Sequence, residues 1–214
     1  HIKQYQESEE TFRLLAEEYD LPIVQNNLAY VIGVYQNRPE EGLEIALEAV
    51  KRAPRNTSFI DTVSMMYQRM GEYKKAADTL DYLLQVDPIN TSAMSKLALL
   101  YADHLDQPDR AIVIATGARN QKSNSPEVLD SLGWSYYRTG KKGIAEETIL
   151  RSLRYGDTMK AYLHLAQIVT DDNKFEEALG HLRMAEELAE DEFSLNSILA
   201  LKDDIRKKKA EFNK

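Results

Sequence analysis

The chain has 214 residues, 43% of them apolar and 29% charged, enough for one or two globular domains or for a solenoid of about five to six stacked units. A formal net charge of −8 repels phosphate and so argues against non-specific binding to nucleic acid or anionic lipid. Zero cysteines exclude a disulfide framework, a thiolate zinc site and a cysteine nucleophile.

Nine Gly and six Pro leave little material for the turns of a β-sandwich, whereas Ala, Leu, Glu and Lys dominate, so the expected fold class is all-α. No apolar run approaches the roughly 18 to 20 residues of a membrane span, and no signal-peptide pattern opens the chain. The chain begins at His1 without an initiator Met, which points to an excised leading segment or a tag remnant, and the compartment stays open.

In residues 1–21, Tyr5, Phe12, Leu15, Ala16 and Tyr19 fall on one helical stripe. This predicts a flanking helix, either the second helix of a preceding, truncated unit or a dedicated cap. An uncovered stripe there would drive self-association through the terminal helices.

From residue 22 onward one pattern returns at a step of 33 to 35 residues. Asn56, Asn90 and Asn124 keep it, as do Tyr67, Tyr101 and Tyr136, and Ala76, Ala111, Ala145 and Ala178. Such a period means stacked supersecondary units, each too small to bury its own apolar face. The expected units are 22–56, 57–90, 91–125, 126–158 and 159–191.

Unit 57–90 is the cleanest. Ile60, Val63 and Tyr67 form one apolar face, Gly71 ends the first helix, Ala76, Leu80 and Leu83 line the second, and Pro88 closes the unit. Small residues allow the two helices to approach closely, and glycine supplies a left-handed cap between them. Units 22–56 and 91–125 each carry one extra residue in the inter-helix turn, near Asn37-Arg38-Pro39 and Asp106-Gln107-Pro108, and the unit ending around Gly156 is shortened by one. Residues 192–214 carry Phe193, Leu195, Ile198, Leu199, Leu201 and Ile205 ahead of the basic run 206–209, which predicts a capping helix ending in a solvated tail.

These markers resemble the tetratricopeptide repeat. Unit 126–158 matches with Leu129, Leu132-Gly133, Tyr136, Gly140, Ala145 and Ile149, and unit 91–125 with Met94, Leu97-Ala98, Tyr101, Ala111, Ala115 and Ala118. Unit 22–56 contributes Leu28-Ala29, Ile32, Ala46, Ala49 and Pro54; unit 159–191 contributes Tyr162, Leu165-Ala166, Val169, Phe175, Ala178, Leu182 and Ala185. The last two units lack the closing proline, with Asp157 and Glu190 in its place. The resemblance implies a right-handed α-solenoid of about five helix pairs, acting as a non-catalytic scaffold for a protein or peptide partner in its concave groove. It also implies which residues line that groove: Asn26, Tyr30, Asp61, Met65, Arg69, Leu99, Asp103, Asp130, Trp134, Tyr137, Arg138 and Gln167.

Trp134 is the only tryptophan, and with Tyr137 and Arg138 it forms a face of residue types enriched at binding hot spots; it is expected to point into the groove, the alternative being that it packs on the neighbouring A helix. Asp61 with Arg69, and Asp130 with Arg138, repeat an eight-residue spacing too long for a direct intrahelical bridge, so their contacts are expected to run between adjacent A helices or to a ligand. The phrases 26–30 and 130–138 resemble bacterial members of the family, including ones associated with exopolysaccharide or envelope assembly. An accessory domain of a larger protein or enzyme is the alternative.

No catalytic constellation emerges. The four histidines lack partners at metal-ligand spacing, and Glu9-Glu10, Glu40-Glu41 and Glu176-Glu177 read as solvated faces, so no cofactor and no metal is expected. Residues 140–143, Gly-Lys-Lys-Gly, read as an inter-helix turn rather than a phosphate loop. Asn56-Thr57-Ser58 and Asn90-Thr91-Ser92 read as helix N-caps rather than glycosylation sites.

Overall fold

The structure, a computed structural model, describes residues 2–213. Twelve α-helices and no strand occur among them: α1 Ile2–Glu18, α2 Pro22–Tyr30, α3 Pro39–Arg52, α4 Thr57–Arg69, α5 Tyr73–Val86, α6 Thr91–Asp103, α7 Pro108–Gln121, α8 Pro126–Arg138, α9 Lys142–Leu153, α10 Met159–Thr170, α11 Phe175–Glu187 and α12 Glu192–Phe212. A π-helical turn, Val31–Tyr35, extends α2. The helices α2, α4, α6, α8 and α10 open successive pairs and are called A helices here; α3, α5, α7, α9 and α11 close them.

Helix starts follow local chemistry. Pro22, Pro39, Pro108 and Pro126 open α2, α3, α7 and α8, where a missing N–H costs nothing. The Asn56 side chain accepts from the N–H groups of Ser58 and Phe59, and Asn90 Oδ1 accepts from Ala93 N at 3.0 Å. Both are the expected caps. Asn124 keeps the period without the role, because Ser125 takes the cap position of α8.

The inter-helix turns explain the one-residue slips. In three pairs the closing backbone bond spans five residues, Glu72 N to Tyr67 O, Lys141 N to Tyr136 O and Lys174 N to Val169 O. The residue before each donor has positive φ: Gly71, Gly140 and Asn173. In the two pairs with an extra residue the bond spans six, Arg38 N to Ile32 O and Gln107 N to Tyr101 O, behind Asn37 and Asp106 at positive φ. The first of these is prepared by the π-helical turn, whose Gln36 N to Val31 O bond takes up the surplus.

The described chain divides into two compact units, one ending at Ala93 and one starting at Met94. In the first, Ala29, Ala46 and Val63 form a core with Leu43, Ile45, Val50 and Tyr67 packed on it. A close helix crossing in it lies at Gly33 and Gly42: a Cβ on Gly42 would lie 2.8 Å from Ala29 O and 2.9 Å from Gly33 Cα. In the second, Ala166, Val169, Phe175, Ala178, Leu182, Ala185, Ile198 and Ile205 bind α10, α11 and α12 together.

Two charge expectations need correction. Glu9 and Glu41 are not merely solvated: Arg13 bonds both, at 2.6 and 2.7 Å, and Arg38 bonds Glu9 at 3.0 Å and also Glu41. This four-membered network fastens α1 beside the turn leading into α3, together with Tyr5 stacked on Tyr35 at 4.3 Å between ring centroids. Within the basic run, Lys209 pairs with Glu176, and Lys208 with Asp204 at 2.8 Å, so the tail is partly tied down rather than free. In both cases residues 28 to 33 positions apart become neighbours through helix stacking, which adjacent-residue reasoning does not see.

Candidate functional site

The A helices α6, α8 and α10 of the second unit carry a polar ladder. Trp134 on α8 donates its indole N–H to Asp103 Oδ1 on α6 at 2.7 Å and stacks on His164 of α10, with ring centroids 4.0 Å apart and planes 10° apart. His164 Nδ1 lies 2.8 Å from Asp130 Oδ1. Asp130 is 2% and His164 9% exposed, so this bond supplies the partner that a carboxylate at such depth requires.

Trp134 itself is 3% exposed. The expectation that it projects into the groove is therefore corrected: hydrogen bonding to α6 and stacking on α10 lay its ring flat between neighbouring A helices. The eight-residue spacing of Asp130 and Arg138 resolves into the expected contacts between adjacent A helices. Asp130 turns to α10, while Arg138 Nε stands 3.8 Å from Asp103 on α6.

In front of this ladder lies a recess of about 150 Å³. Trp134, Tyr137 and Arg138 of α8, Gln167, Thr170 and Asp171 of the α10 end, and Leu201, Asp204 and Lys208 of α12 line it. Tyr137 stacks on Trp134 at 4.8 Å and donates its hydroxyl to Asp171 at 2.7 Å. Burial, followed by that hydrogen bond and the charge of Asp171, pushes the Tyr137 phenol up to about 12. Tyr137 therefore serves as a neutral donor, held rigid by its partner. The Gln167 amide is bonded to no other described residue and presents both a donor and an acceptor at the rim.

Four of the expected groove residues, Trp134, Tyr137, Arg138 and Gln167, thus converge on one recess, with Asp103 and Asp130 in the ladder behind it. Leu99 is half-buried on α6. Asn26, Tyr30, Asp61, Met65 and Arg69 belong to the first unit: Asn26 is buried on α2, Tyr30 packs edge-on to Tyr35, and the other three are half-buried on α4. The α12 wall was missed because residues 192–214 read only as a cap. A signal existed, since the repeat step carries Trp134 to Gln167 and on to Leu201, and Tyr137 to Asp171 and on to Asp204.

A family model for the tetratricopeptide repeat matches residues 131–193, which span α8 to the start of α12. A crystal structure of a thermophilic tetratricopeptide-repeat protein from Thermus thermophilus superposes with a TM-score of 0.65 at 18% identity, covering 78% of this chain and 91% of that one. The chain has the tetratricopeptide-repeat fold, and residues 131–193 carry the family's pattern. The TPR repeat-containing protein PA4667 of Pseudomonas aeruginosa is 26% identical over 122 residues, 56% of this chain and 21% of its own length. BBS4 of Bos taurus, a BBSome complex member, is 27% identical over 116 residues, 54% of this chain and 22% of its own length. The chain spans about a fifth of the length of these two curated relatives. Its tetratricopeptide fold is consistent with a protein–protein interaction scaffold, and no described helix is long and apolar enough to cross a membrane.

Proposed function

We propose that this tetratricopeptide-repeat chain is a non-catalytic scaffold that holds a peptide or helix of a partner protein against α8, α10 and α12. The recess where Trp134, Tyr137, Arg138 and Gln167 converge carries this reading. A planar aromatic floor, a fixed hydroxyl, an uncommitted amide and the flanking charges of Arg138 and Lys208 suit a side chain with an apolar body and a polar tip. Gln167 would bond the partner's main chain, and Tyr137 and Arg138 would supply the largest share of the affinity. Leu99 would extend the contact surface along α6, and Asn26, Tyr30, Asp61, Met65 and Arg69 would form a partner-contact surface of the first unit by itself.

The test uses variants that keep the ladder residues Asp103, Trp134, Asp130 and His164 themselves. Tyr137→Ala with Arg138→Ala should weaken capture of the partner by about 2 kcal/mol or more, roughly thirtyfold, with unchanged helix content. Equal affinity in wild type and variant would overturn the groove reading. The process we assign is bacterial envelope or exopolysaccharide assembly, on the resemblance carried by residues 26–30 and 130–138. The span of about a fifth of the curated relatives favours a second reading, in which the repeats form an accessory domain of a larger protein or enzyme. The length of the full gene decides between them.

A further inference from the structure

The helix α8 has a second working face. Between α7, α8 and α9 lies a separate recess of about 210 Å³ lined by Leu129, Leu132, Tyr136 and Ile144, with Arg119, Glu147, Thr148 and Arg151 at its polar edge. We propose that this recess docks an acidic side chain of a partner segment that carries an apolar residue beside it.

Charge supplies the first argument. In a chain of net charge −8, Arg119 and Arg151 approach this recess from the last turns of α7 and α9, and neither is bonded to a described residue. Glu147 stands four residues before Arg151 without bridging to it, so two guanidinium groups face one carboxylate. Lys141 adds a third cation 5.7 Å from the centroid of the Tyr136 ring. Guanidinium groups match carboxylates bidentately, and two that converge on an opening without internal partners favour an anionic group from outside.

Shape supplies the second argument. Ile144 is 53% exposed at the wall of the recess, above Leu129 and Leu132 in its floor. An apolar cavity of roughly 150 Å³ admits a benzene-sized group, so this space takes one large side chain. A bare phosphate would leave that wall uncovered, whereas a peptide with an apolar residue next to Asp or Glu would fill both halves. The recess uses Leu129, Leu132 and Tyr136 of α8, none of which lines the groove recess, so the two sites are independent.

The test is a methyl and amide NMR titration of the full chain with the capped tripeptide acetyl-Glu-Leu-Glu-amide. It should shift the resonances of Ile144, Leu132 and Tyr136. The neutral acetyl-Gln-Leu-Gln-amide, or the Arg119→Gln/Arg151→Gln double variant, should bind about tenfold more weakly or worse. The Tyr137→Ala/Arg138→Ala variant should bind the acidic tripeptide as wild type does. Equal binding of the neutral tripeptide, unchanged binding by the arginine double variant, the same shifts from inorganic phosphate, absence of shifts at saturating tripeptide, or loss of binding in the Tyr137/Arg138 variant would each overturn the proposal.

Discussion

Substituting Gly133 with alanine tests the packing that brings the two faces of α8 together. An alanine Cβ there would lie 2.5 Å from Ile149 Cγ1, 3.0 Å from Ala145 O and 3.2 Å from Ile149 N, all on α9. Carbon atoms at contact sit about 3.5 to 4.0 Å apart, so α8 and α9 must separate by roughly 1 Å. Ile149 is fully buried and cannot swing aside. Overpacking of this kind costs about 1 to 3 kcal/mol, and backbone atoms in the clash place it at the upper end. Alanine returns up to about 1 kcal/mol of helix propensity, leaving a net loss of about 2 kcal/mol. For a chain of this size that lowers the melting temperature by about 4 to 8 °C. Gly117 on α7 is the control, because its Cβ would meet nothing within 4 Å, so Gly117→Ala should raise the melting temperature by about 2 to 4 °C. Thermal melts followed by circular dichroism measure both. A Gly133→Ala protein as stable as wild type, or a shift of the same sign in both variants, would refute the close-crossing argument.

Trp134→Ala removes a buried indole together with its bond to Asp103, and should cost about 3 to 5 kcal/mol in stability, measured by denaturant titration; a loss of binding with stability unchanged would contradict its placement. For Glu9, burial acts to raise the carboxyl pKa, but the hydrogen bonds from Arg13 and Gln36 and the charges of Arg38 and Arg13 outweigh it and hold the value below the usual 4.5. A depressed folded value stabilises above the unfolded value and the contribution is lost as pH falls through the folded one, so melts taken from about pH 6 to pH 3 should fall more steeply for wild type than for Glu9→Gln. The raised Tyr137 phenol works in the opposite sense: its contribution is intact below about 10 and lost as pH rises through about 12, and ultraviolet titration should show late-ionising tyrosine absorbance, to which Tyr162 beside Asp157 also contributes, that is reduced in Tyr137→Phe. Asn56→Ala and Asn90→Ala should each cost about 1 kcal/mol through loss of a helix cap, whereas Asn124→Ala should cost almost nothing.

The fold was legible because its determinants are local and periodic. Alanines at the helix crossings, Gly71 and Gly140 at the turns and the asparagine caps each act within a few residues, and their 34-residue beat multiplies a weak signal. The extra residues near Asn37 and Asp106 were visible as slips, yet the π-helical turn at 31–35 was not, because the sequence counts a residue without saying where the chain absorbs it. The candidate site was partly legible for the same reason. Helical spacing placed Tyr137 and Arg138 on one face but could not foresee that His164 and Asp103, 30 and 31 residues from Trp134, would clamp its ring flat. Long-range partners follow from the rotation between successive helix pairs, which no single repeat encodes. The same limit hid the Arg13, Arg38, Glu9 and Glu41 network and the α12 wall.

Site-specific photocrosslinking tests the central claim most directly. A benzophenone side chain replaces Gln167, at the rim of the α8, α10 and α12 recess, and in a second protein replaces Met184, which is exposed on α11. With the partner recovered by affinity capture, the account predicts crosslinks from position 167 that are lost when Tyr137→Ala and Arg138→Ala are added. Crosslinks from position 184 with none from 167, or crosslinks from 167 that survive the double substitution, would contradict it.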